Sequence, residues 1–186
     1  MVTVQHLTTQ QIEAGMPTVL DSPKEHGTLR MIVRRPSVNQ REAIETCELD
    51  PQVGLVGDTW HQRSSTRTAD GSPHPDMQLN VINARLIGLL AGDEVRWPLA
   101  GDQLYMDLDL SVANLPPGTR VAIGSAVIEI TEQAHTGCKK FVERFGLDAM
   151  EYVNSPSGKR HRLRGLNAKV VQPGTIRVGD AVRKLA

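Results

Sequence analysis

The chain has 186 residues, 39% of them hydrophobic, and its 21 basic and 21 acidic residues give a formal net charge of zero. A chain of this length can bury a core without disulfides, and its two cysteines and the lack of a charged-then-apolar leader indicate a reducing cytoplasm. No apolar run approaches the roughly 20 residues of a membrane span, and aromatic residues make up only 3% of the chain, so neither a membrane partner nor a nucleic-acid partner is expected.

The first predicted element is a short helix. Thr8 and Gln11 match a capping box, and Gly15 would end the helix one turn later. A turn-rich stretch follows the helix. We therefore predict a single domain in which residues 1–27 are a helical appendage and residues 28–186 form the core.

Short strands follow the appendage. Leu29, Met31 and Val33 alternate with polar residues, which predicts a half-buried strand. A second strand is predicted from Ala43 to Cys47. On this prediction Cys47 packs in the core and does not react.

The middle of the chain combines a loop, a strand and a helix. Residues 61–77 are polar and rich in Pro, Gly, Ser and Thr, which predicts a long exposed loop of the kind that often serves as a lid or binding element. A strand is predicted over residues 78–82. Asn83 would then cap a helix over residues 84–91, and Gly92 would end it.

The next strand, within residues 101–110, alternates leucine and methionine with tyrosine and aspartate. The alternation predicts that Tyr105, Asp107 and Asp109 share a polar face. Two carboxylates on one face could work as an acid/base pair, although solvent-facing acids are the commoner explanation.

Two segments, residues 117–127 and 173–182, resemble each other as turn, strand, glycine turn and strand. Two such corners in a chain of short strands favour a mainly β (α+β) fold, a closed or nearly closed β-barrel with a few short helices, over a doubly wound α/β sheet.

The chemistry of the chain is concentrated at Cys138. Phe141 and Phe145 lie at helical spacing after it, and Gly146 would end the helix, so Cys138 is placed at the helix start. Unpaired N–H groups there, together with Lys139 and its basic neighbours, favour a thiolate that is a good nucleophile and soft metal ligand. The alternative is a buried structural cysteine, since free cysteines are among the most buried residues. The flanking lysines, and Gly137 with its room for a close ligand, argue for function.

Charge is distributed unevenly along the chain. Residues 135–186 hold eleven Lys or Arg and four Asp or Glu, a net +7, which leaves −7 for residues 1–134. Arg162 and Arg164 alternate with leucine and are predicted to share a strand face after a turn at residues 155–158. The basic segment suits a small anionic ligand, although it could also be a solvated basic face.

Taken together, these motifs resemble the MOSC domain family, named for the C-terminal domain of molybdenum cofactor sulfurases. The resemblance rests on residues 54–58 (GLVGD), 101–104 (GDQL), Asn114 with 116–118 (PPG), 123–131 (IGSAVIEIT) and the cysteine at Cys138. Many members have a proline directly before the cysteine, whereas this chain has Gly137, as in a compact bacterial subgroup.

The resemblance implies a β-barrel of the pyruvate-kinase β-barrel type and a link to the molybdenum cofactor, molybdopterin, which is a phosphorylated pterin. It implies that Cys138 either carries sulfur or ligates molybdenum, in cofactor sulfuration, in metal-sulfur delivery or in the reduction of N-hydroxylated compounds. A sulfur donor or a molybdoenzyme would be the protein partner. Pyridoxal phosphate is not expected, because no transferase domain with a Schiff-base lysine is present.

Several residues are therefore candidates for the site. Cys138 would be the catalytic residue and metal ligand, with His135 as a second catalytic candidate. The candidate cofactor contacts are Lys139, Arg162, Arg164, Asn167, Asp58 and Asn114. Two alternatives remain: a cofactor-binding module without catalysis, and a hydrolase in which Asp107 or Asp109 orients His135 beside Cys138.

Overall fold

The computed structural model describes residues 5–185. Eleven strands form within this range: β1 (His26–Arg34), β2 (Glu42–Ile44), β3 (Thr46–Asp50), β4 (Gly54–Leu55), β5 (Leu79–Asn83), β6 (Leu104–Asp107), β7 (Arg120–Ile123), β8 (Ala126–Ile130), β9 (Leu166–Gln172), β10 (Gly174–Arg177) and β11 (Ala181–Lys184). The α-helices in the same range are α1 (Thr9–Leu20), α2 (Ala84–Ala91), α3 (Lys139–Phe145), α4 (Leu147–Asn154) and α5 (Pro156–Arg160). Short 3₁₀ helices cover Trp60–Gln62, Pro75–Met77 and Glu94–Ala100.

Seven strands close into a barrel. The order around it is β1, β6, β5, β9, β8, β7 and β11, and β11 pairs back onto β1 through His26 and Arg183. All of these pairings are antiparallel except the parallel pair of β5 and β6. β2 extends the sheet beside the far end of β1, and β10, β3 and β4 form a separate three-stranded sheet. The predicted closed barrel is confirmed.

The two similar corners have the predicted form. Residues 120–130 build β7, a glycine turn and β8, and residues 174–184 build β10, a glycine turn and β11. Gly124 and Gly179 in these turns have φ of 53° and 92°, which glycine adopts without steric cost.

The structure has two apolar cores because the helices cover one outer face of the barrel. Leu104 and Met106 point into the barrel, whereas Tyr105 between them packs in a second core under the helices. The expected polar face for Tyr105 is therefore wrong. Tyr105 is fully buried, and its hydroxyl donates to the Trp97 carbonyl at 2.9 Å.

The N-terminal helix begins as predicted but ends later. Thr8 and Gln11 form the capping box, yet α1 runs past Gly15 to Leu20. Gly15 is a close-packing position, since a Cβ there would lie 2.4 Å from a Leu89 methyl carbon of α2. Ile12 on the buried face of α1 is fully inside the second core, so this helix is an integral part of the packing.

The second predicted helix, α2, has the expected bounds. Asn83 Oδ1 accepts the Leu86 N–H at 2.9 Å, and the helix ends at Gly92, where φ is 72°. In the described part of the chain, no helix is both long and apolar enough to cross a membrane.

Two expectations for the C-terminal part are corrected. The stretch 155–158 starts a helix, because the Ser155 hydroxyl accepts the Gly158 N–H at 3.0 Å and Pro156 occupies the first helical position. Arg162 has a φ of 46°, which breaks the extended alternation, and β9 begins only at Leu166. Arg162 and Arg164 therefore do not share a strand face.

Candidate functional site

Cys138 is exposed and occupies the N-cap of α3. Its carbonyl accepts the Phe141 and Val142 N–H groups at 2.8 and 3.2 Å, which start the helix. Phe141 and Phe145 are buried as predicted and fix the helix on the second core. The thiol thus faces solvent from a backbone position that is well anchored.

The residue before the cysteine is held by helix α4. The Asn154 side chain accepts the Gly137 N–H at 2.9 Å and donates to the Gly137 carbonyl at 3.1 Å. A Cβ on Gly137 would lie 3.3 Å from atoms of Asn154, Met150 and Val153. The glycine therefore allows close packing against α4, and the space expected there for a ligand is filled by the protein.

His135 lies above a buried ion pair. Its Nδ1 is 3.4 Å from Asp102 Oδ1 and has no hydrogen-bond partner among the described residues, while Arg164 Nη1 donates to both Asp102 oxygens at 2.8 and 3.1 Å. Burial lowers the pKa of His135 well below its usual value, and the positive charges of Arg164, Arg35 and Arg67 lower it further. His135 is therefore neutral at neutral pH.

Asp102 and Arg164 form a buried ion pair next to His135. Burial raises the pKa of the fully enclosed Asp102, and the charge of Arg164 offsets only part of that effect. Arg164 also donates to the Ala100 carbonyl at 3.0 Å and lies over the Phe141 ring, 5.0 Å from its centroid. These contacts occupy both terminal nitrogens of Arg164, whereas its buried Nε has no hydrogen-bond partner within residues 5–185. Its expected role as a cofactor contact stays a prediction, and through the terminal nitrogens it would require exchange of partners.

The residues proposed to orient His135 lie elsewhere. Asp107 accepts Arg85 Nε at 2.7 Å, and Asp109 accepts the Ser111 N–H at 2.9 Å. Within residues 5–185, no hydrogen bond joins the His135 ring to either carboxylate or to Cys138. Neither Asp107 nor Asp109 therefore orients His135, and the acid that faces it is Asp102.

Three arginines from distant parts of the chain, Arg35, Arg41 and Arg144, converge beside Gly101. The charge of a fourth, Arg63, interacts with those of Arg35 and Arg41, and we call these four residues the arginine cluster. Burial and the charges of Arg144 and Arg35 lower the pKa of Arg41, and burial and Arg35 do the same for Arg63. A Cβ on Gly101 would lie 3.6 Å from Arg41 Nη2 and 3.9 Å from Arg144 Nη1.

One carboxylate accompanies this cluster. Asp58 accepts two bonds from the Arg35 side chain, at 2.8 and 2.9 Å, and Arg35 also donates to the Gly101 carbonyl at 3.1 Å. The Nε of Arg41 is buried and has no hydrogen-bond partner within residues 5–185. Four guanidinium groups beside one carboxylate leave an excess of positive charge and an unused donor, which suits an anion.

The cluster was not predicted from the sequence. Arg35, Arg41 and Arg63 belong to residues 1–134, which are acidic by count, and only Arg144 lies in the basic segment. Their spacing matches no motif. The one available signal was the position of Asp58 and Gly101 in the two motifs GLVGD and GDQL, whose residues hold Arg35.

The other expected contacts occupy separate places. Lys139 is exposed. Asn167 is fully buried, accepts from Asn80 at 2.7 Å and donates to the Gln133 carbonyl at 3.0 Å. Asn114 donates to the Lys24 and Asp109 carbonyls at 2.9 and 2.7 Å. Cofactor roles for Asn167, Asn114 and Asp58 stay predictions, and they require these side chains to exchange their present partners.

A cavity of about 380 Å³ has His135 among its lining residues. It is bounded by residues 131–136 and by the turn between α5 and β9, and Arg162 and Arg164 are among its lining residues. Cys138 is not part of this lining.

The comparisons with known proteins agree with this architecture. A family model described as the MOSC domain matches residues 72–183, more than half of the chain. The fold is similar to the YuaD protein from Bacillus subtilis, with 17% identity, a TM-score of 0.59 and coverage of 84% of this chain and 94% of that chain. It is also similar to YiiM from Escherichia coli, with 17% identity, a TM-score of 0.54 and coverage of 86% and 70%.

YiiM from Geobacillus stearothermophilus is similar at 12% identity, with a TM-score of 0.51 and coverage of 89% and 75%. At these identities the likeness establishes the fold alone. No curated protein matches the chain.

Proposed function

Since the chain belongs to the MOSC domain family, we propose that it binds the molybdenum cofactor and acts through the sulfur of Cys138. The observation that carries the proposal is the pairing of an exposed thiol with the arginine cluster at opposite ends of one helix. Cys138 caps the start of α3 and Arg144 lies in its last turn. They are six positions apart, which corresponds to about 9 Å along the helix axis.

The residues present fit a phosphorylated pterin. Arg41 would hold the phosphate through its unused Nε, with Arg63 and Arg144 adding charge, because guanidinium groups bind phosphate bidentately. When bound, the cofactor supplies a redox-active molybdenum centre that no side chain can provide. Neutral His135 would offer its second ring nitrogen to the ligand without adding repulsion between positive charges.

Cys138 can serve in either of two roles. As a ligand, its thiolate would donate an electron pair to molybdenum, a metal that accepts soft sulfur donors. As a sulfur carrier, the thiolate would attack the outer sulfur of a donor persulfide, R–S–SH. The new S–S bond forms to Cys138, and the donor S–S bond breaks with its electron pair on the donor sulfur. The donor leaves as a thiolate, R–S⁻, and Cys138 then carries the persulfide.

A second candidate is a binding module that holds the cofactor without turnover. The arginine cluster favours it, since those side chains could bind a phosphate whether or not Cys138 reacts. The two candidates differ in what removal of the thiol does to the bound metal and to sulfur transfer.

The test measures molybdenum by mass spectrometry and pterin by fluorescence after oxidation, in protein purified gently from a molybdenum-replete host. We expect both in the wild type, at least a fivefold loss of both in Arg41→Gln, and no loss in Arg183→Gln, an exposed arginine of β11. Cys138→Ser should keep the pterin and lose either molybdenum or the capacity to form a persulfide.

Each other result has a definite meaning. Wild-type protein that carries neither molybdenum nor pterin contradicts the proposal. Equal loading of wild type and Arg41→Gln removes the arginine cluster from it. A Cys138→Ser variant that keeps pterin, molybdenum and sulfur transfer favours the binding module.

A further inference from the structure

Arg162 has an unusual combination of backbone and side-chain features. It is one of two non-glycine residues with positive φ in the described part of the chain, and such conformations persist where the surrounding structure enforces them, often at binding sites. The turn holds it there, because Arg162 N–H donates to the Lys159 carbonyl at 3.2 Å and the Arg162 carbonyl accepts from Gly165 at 2.7 Å.

The guanidinium of Arg162 lacks a counterion. Nη1 donates to the Leu115 carbonyl, whereas Nε and Nη2 have no hydrogen-bond partner and the side chain forms no salt bridge within residues 5–185. Burial alone lowers the pKa of Arg162. Since Nε and Nη2 are not among the buried unsatisfied atoms, this half-buried cation without an acidic partner keeps both donors open to a ligand.

The cavity that Arg162 lines has the size and the lining residues to hold a small ligand beside this side chain. Its volume, about 380 Å³, falls in the range of small-molecule sites. Val112, Val153 and Leu166 give it an apolar side, and Lys159 adds a second cation. Glu132, also in the lining, is exposed.

We propose that this cavity binds a small organic anion, with a carboxylate or phosphate group on the free donors of Arg162 and an apolar body against Val112, Val153 and Leu166. Arg162 pairs with the oxyanion through its planar fork, and Lys159 strengthens the attraction at the entrance. The site goes beyond the proposed cofactor function, because its anion contacts, Arg162 and Lys159, lie outside the arginine cluster. Arg162, which the sequence predicted as a cofactor contact, is here assigned to a separate ligand, and His135 is also among the residues that line this cavity.

Arg164 does not compete for this role. Its fork is occupied by Asp102 and the Ala100 carbonyl, so it forms a neutralised wall of the cavity. The unpaired positive charge in this cavity therefore belongs to Arg162 and Lys159.

The test is a titration followed by ¹H–¹⁵N NMR, with benzoate, phenyl phosphate and inorganic phosphate as separate probes. We expect benzoate or phenyl phosphate to shift the amides of residues 158–166 and 131–136 with a millimolar or lower dissociation constant. The stronger of these two identifies the oxyanion. Inorganic phosphate should bind this cavity at least fivefold more weakly, since it cannot use the apolar side.

Matched variants assign the binding to Arg162. Arg162→Gln should weaken the preferred probe at least tenfold, whereas Arg160→Gln, an exposed neighbour, and Arg41→Gln, in the arginine cluster, should leave it within twofold. If Arg162→Gln does not fold, two other variants of lining residues replace it. Lys159→Gln should weaken binding of the preferred probe about threefold, and Val112→Trp, which fills part of the cavity, about tenfold.

Three outcomes overturn the proposal. In the first, neither organic probe shifts these amides at 20 mM. In the second, Arg41→Gln and not Arg162→Gln abolishes the shifts, which assigns the anion to the arginine cluster. In the third, inorganic phosphate binds the cavity as tightly as phenyl phosphate, which removes the organic body from the ligand. Failure of molybdenum loading leaves all of these readouts intact, so the two proposals fail separately.

Discussion

The two cysteines differ in solvent exposure, which largely controls thiol reactivity. Cys47 is buried on β3, donates to the Val56 carbonyl at 3.3 Å, and has its pKa raised by burial. Cys138 is exposed at the start of α3. Thiol reactivity requires both a thiolate and access, and Cys47 has little of either.

We therefore expect iodoacetamide at pH 7.5 to label Cys138 at least tenfold faster than Cys47 in the native protein. Peptide mapping by mass spectrometry gives both rates from one sample. After denaturation the two rates should come within about twofold of each other. A Cys138 that reacts only after denaturation would show that the thiol is not accessible, and the proposed sulfur chemistry would be lost with it.

His135 leads to a prediction on pH. It faces Asp102, Arg164, Arg35 and Arg67, and its folded-state pKa is lowered, so the unfolded state binds its proton more readily. The stabilisation by neutral His135 is present above an unfolded pKa of about 6.5 and is lost as pH falls toward the folded value.

Between pH 7 and pH 5, His135 should thus remove up to about 2 kcal/mol of unfolding free energy. In His135→Gln this contribution is absent. Urea denaturation should therefore show that the unfolding free energy of the variant falls less steeply between pH 7 and pH 5 than that of the wild type. The raised pKa of Asp102 acts in the opposite direction and is present in both proteins. Parallel pH profiles for wild type and variant would contradict the assignment of a neutral, buried His135.

At the scale of elements, local signals worked where one short segment decides the structure. The cap of α2 by Asn83, the start of α3 at Cys138 and the glycine corners all follow from a few adjacent residues. Prediction failed where distant packing decides. Gly15 was interpreted as a helix stop because only the structure places Leu89 against it, and Tyr105 was assigned to solvent because the helices that cover its strand are not visible in the local alternation.

The packing of α1 can be tested directly. Ile12 is fully buried in the second core, so Ile12→Ala should cost about 2–5 kcal/mol of unfolding free energy through lost burial and a residual cavity. Gln10→Ala on the exposed side of the same helix should change it by less than about 0.5 kcal/mol. Urea denaturation of both variants supplies the comparison. A loss below about 1 kcal/mol for Ile12→Ala would indicate that α1 is a loosely attached appendage after all.

At the scale of the whole molecule, charge counted along the sequence did not locate the cationic site. The net +7 of residues 135–186 is partly neutralised or dispersed, as where Arg164 pairs with Asp102 and Lys169 pairs with Asp76. The fold brings Arg35, Arg41 and Arg63 from the acidic segment 1–134 together with Arg144 from the basic segment 135–186. Charge density in the folded protein depends on this topology, which no segment total contains.

The convergence of these arginines predicts that anions stabilise the native state. Folding brings together four cations with one carboxylate, and a bound divalent anion would relieve the repulsion between them. An anion that binds the folded form with a dissociation constant near 1 mM adds about 1.4 kcal/mol at 10 mM, or a rise of about 3–6 °C in Tm for a chain of this size. Differential scanning fluorimetry with 10 mM phosphate, against sodium chloride of equal ionic strength, measures the shift.

Arg41→Gln should lose at least half of the rise in Tm and Arg183→Gln should retain it. A rise of equal size in all three proteins would reflect general exclusion of the salt from protein surface, and the cluster would then have no specific anion site. A rise confined to proteins with Arg41 would place the anion beside the last turn of α3, about 9 Å along the helix axis from Cys138, as the proposed cofactor function requires.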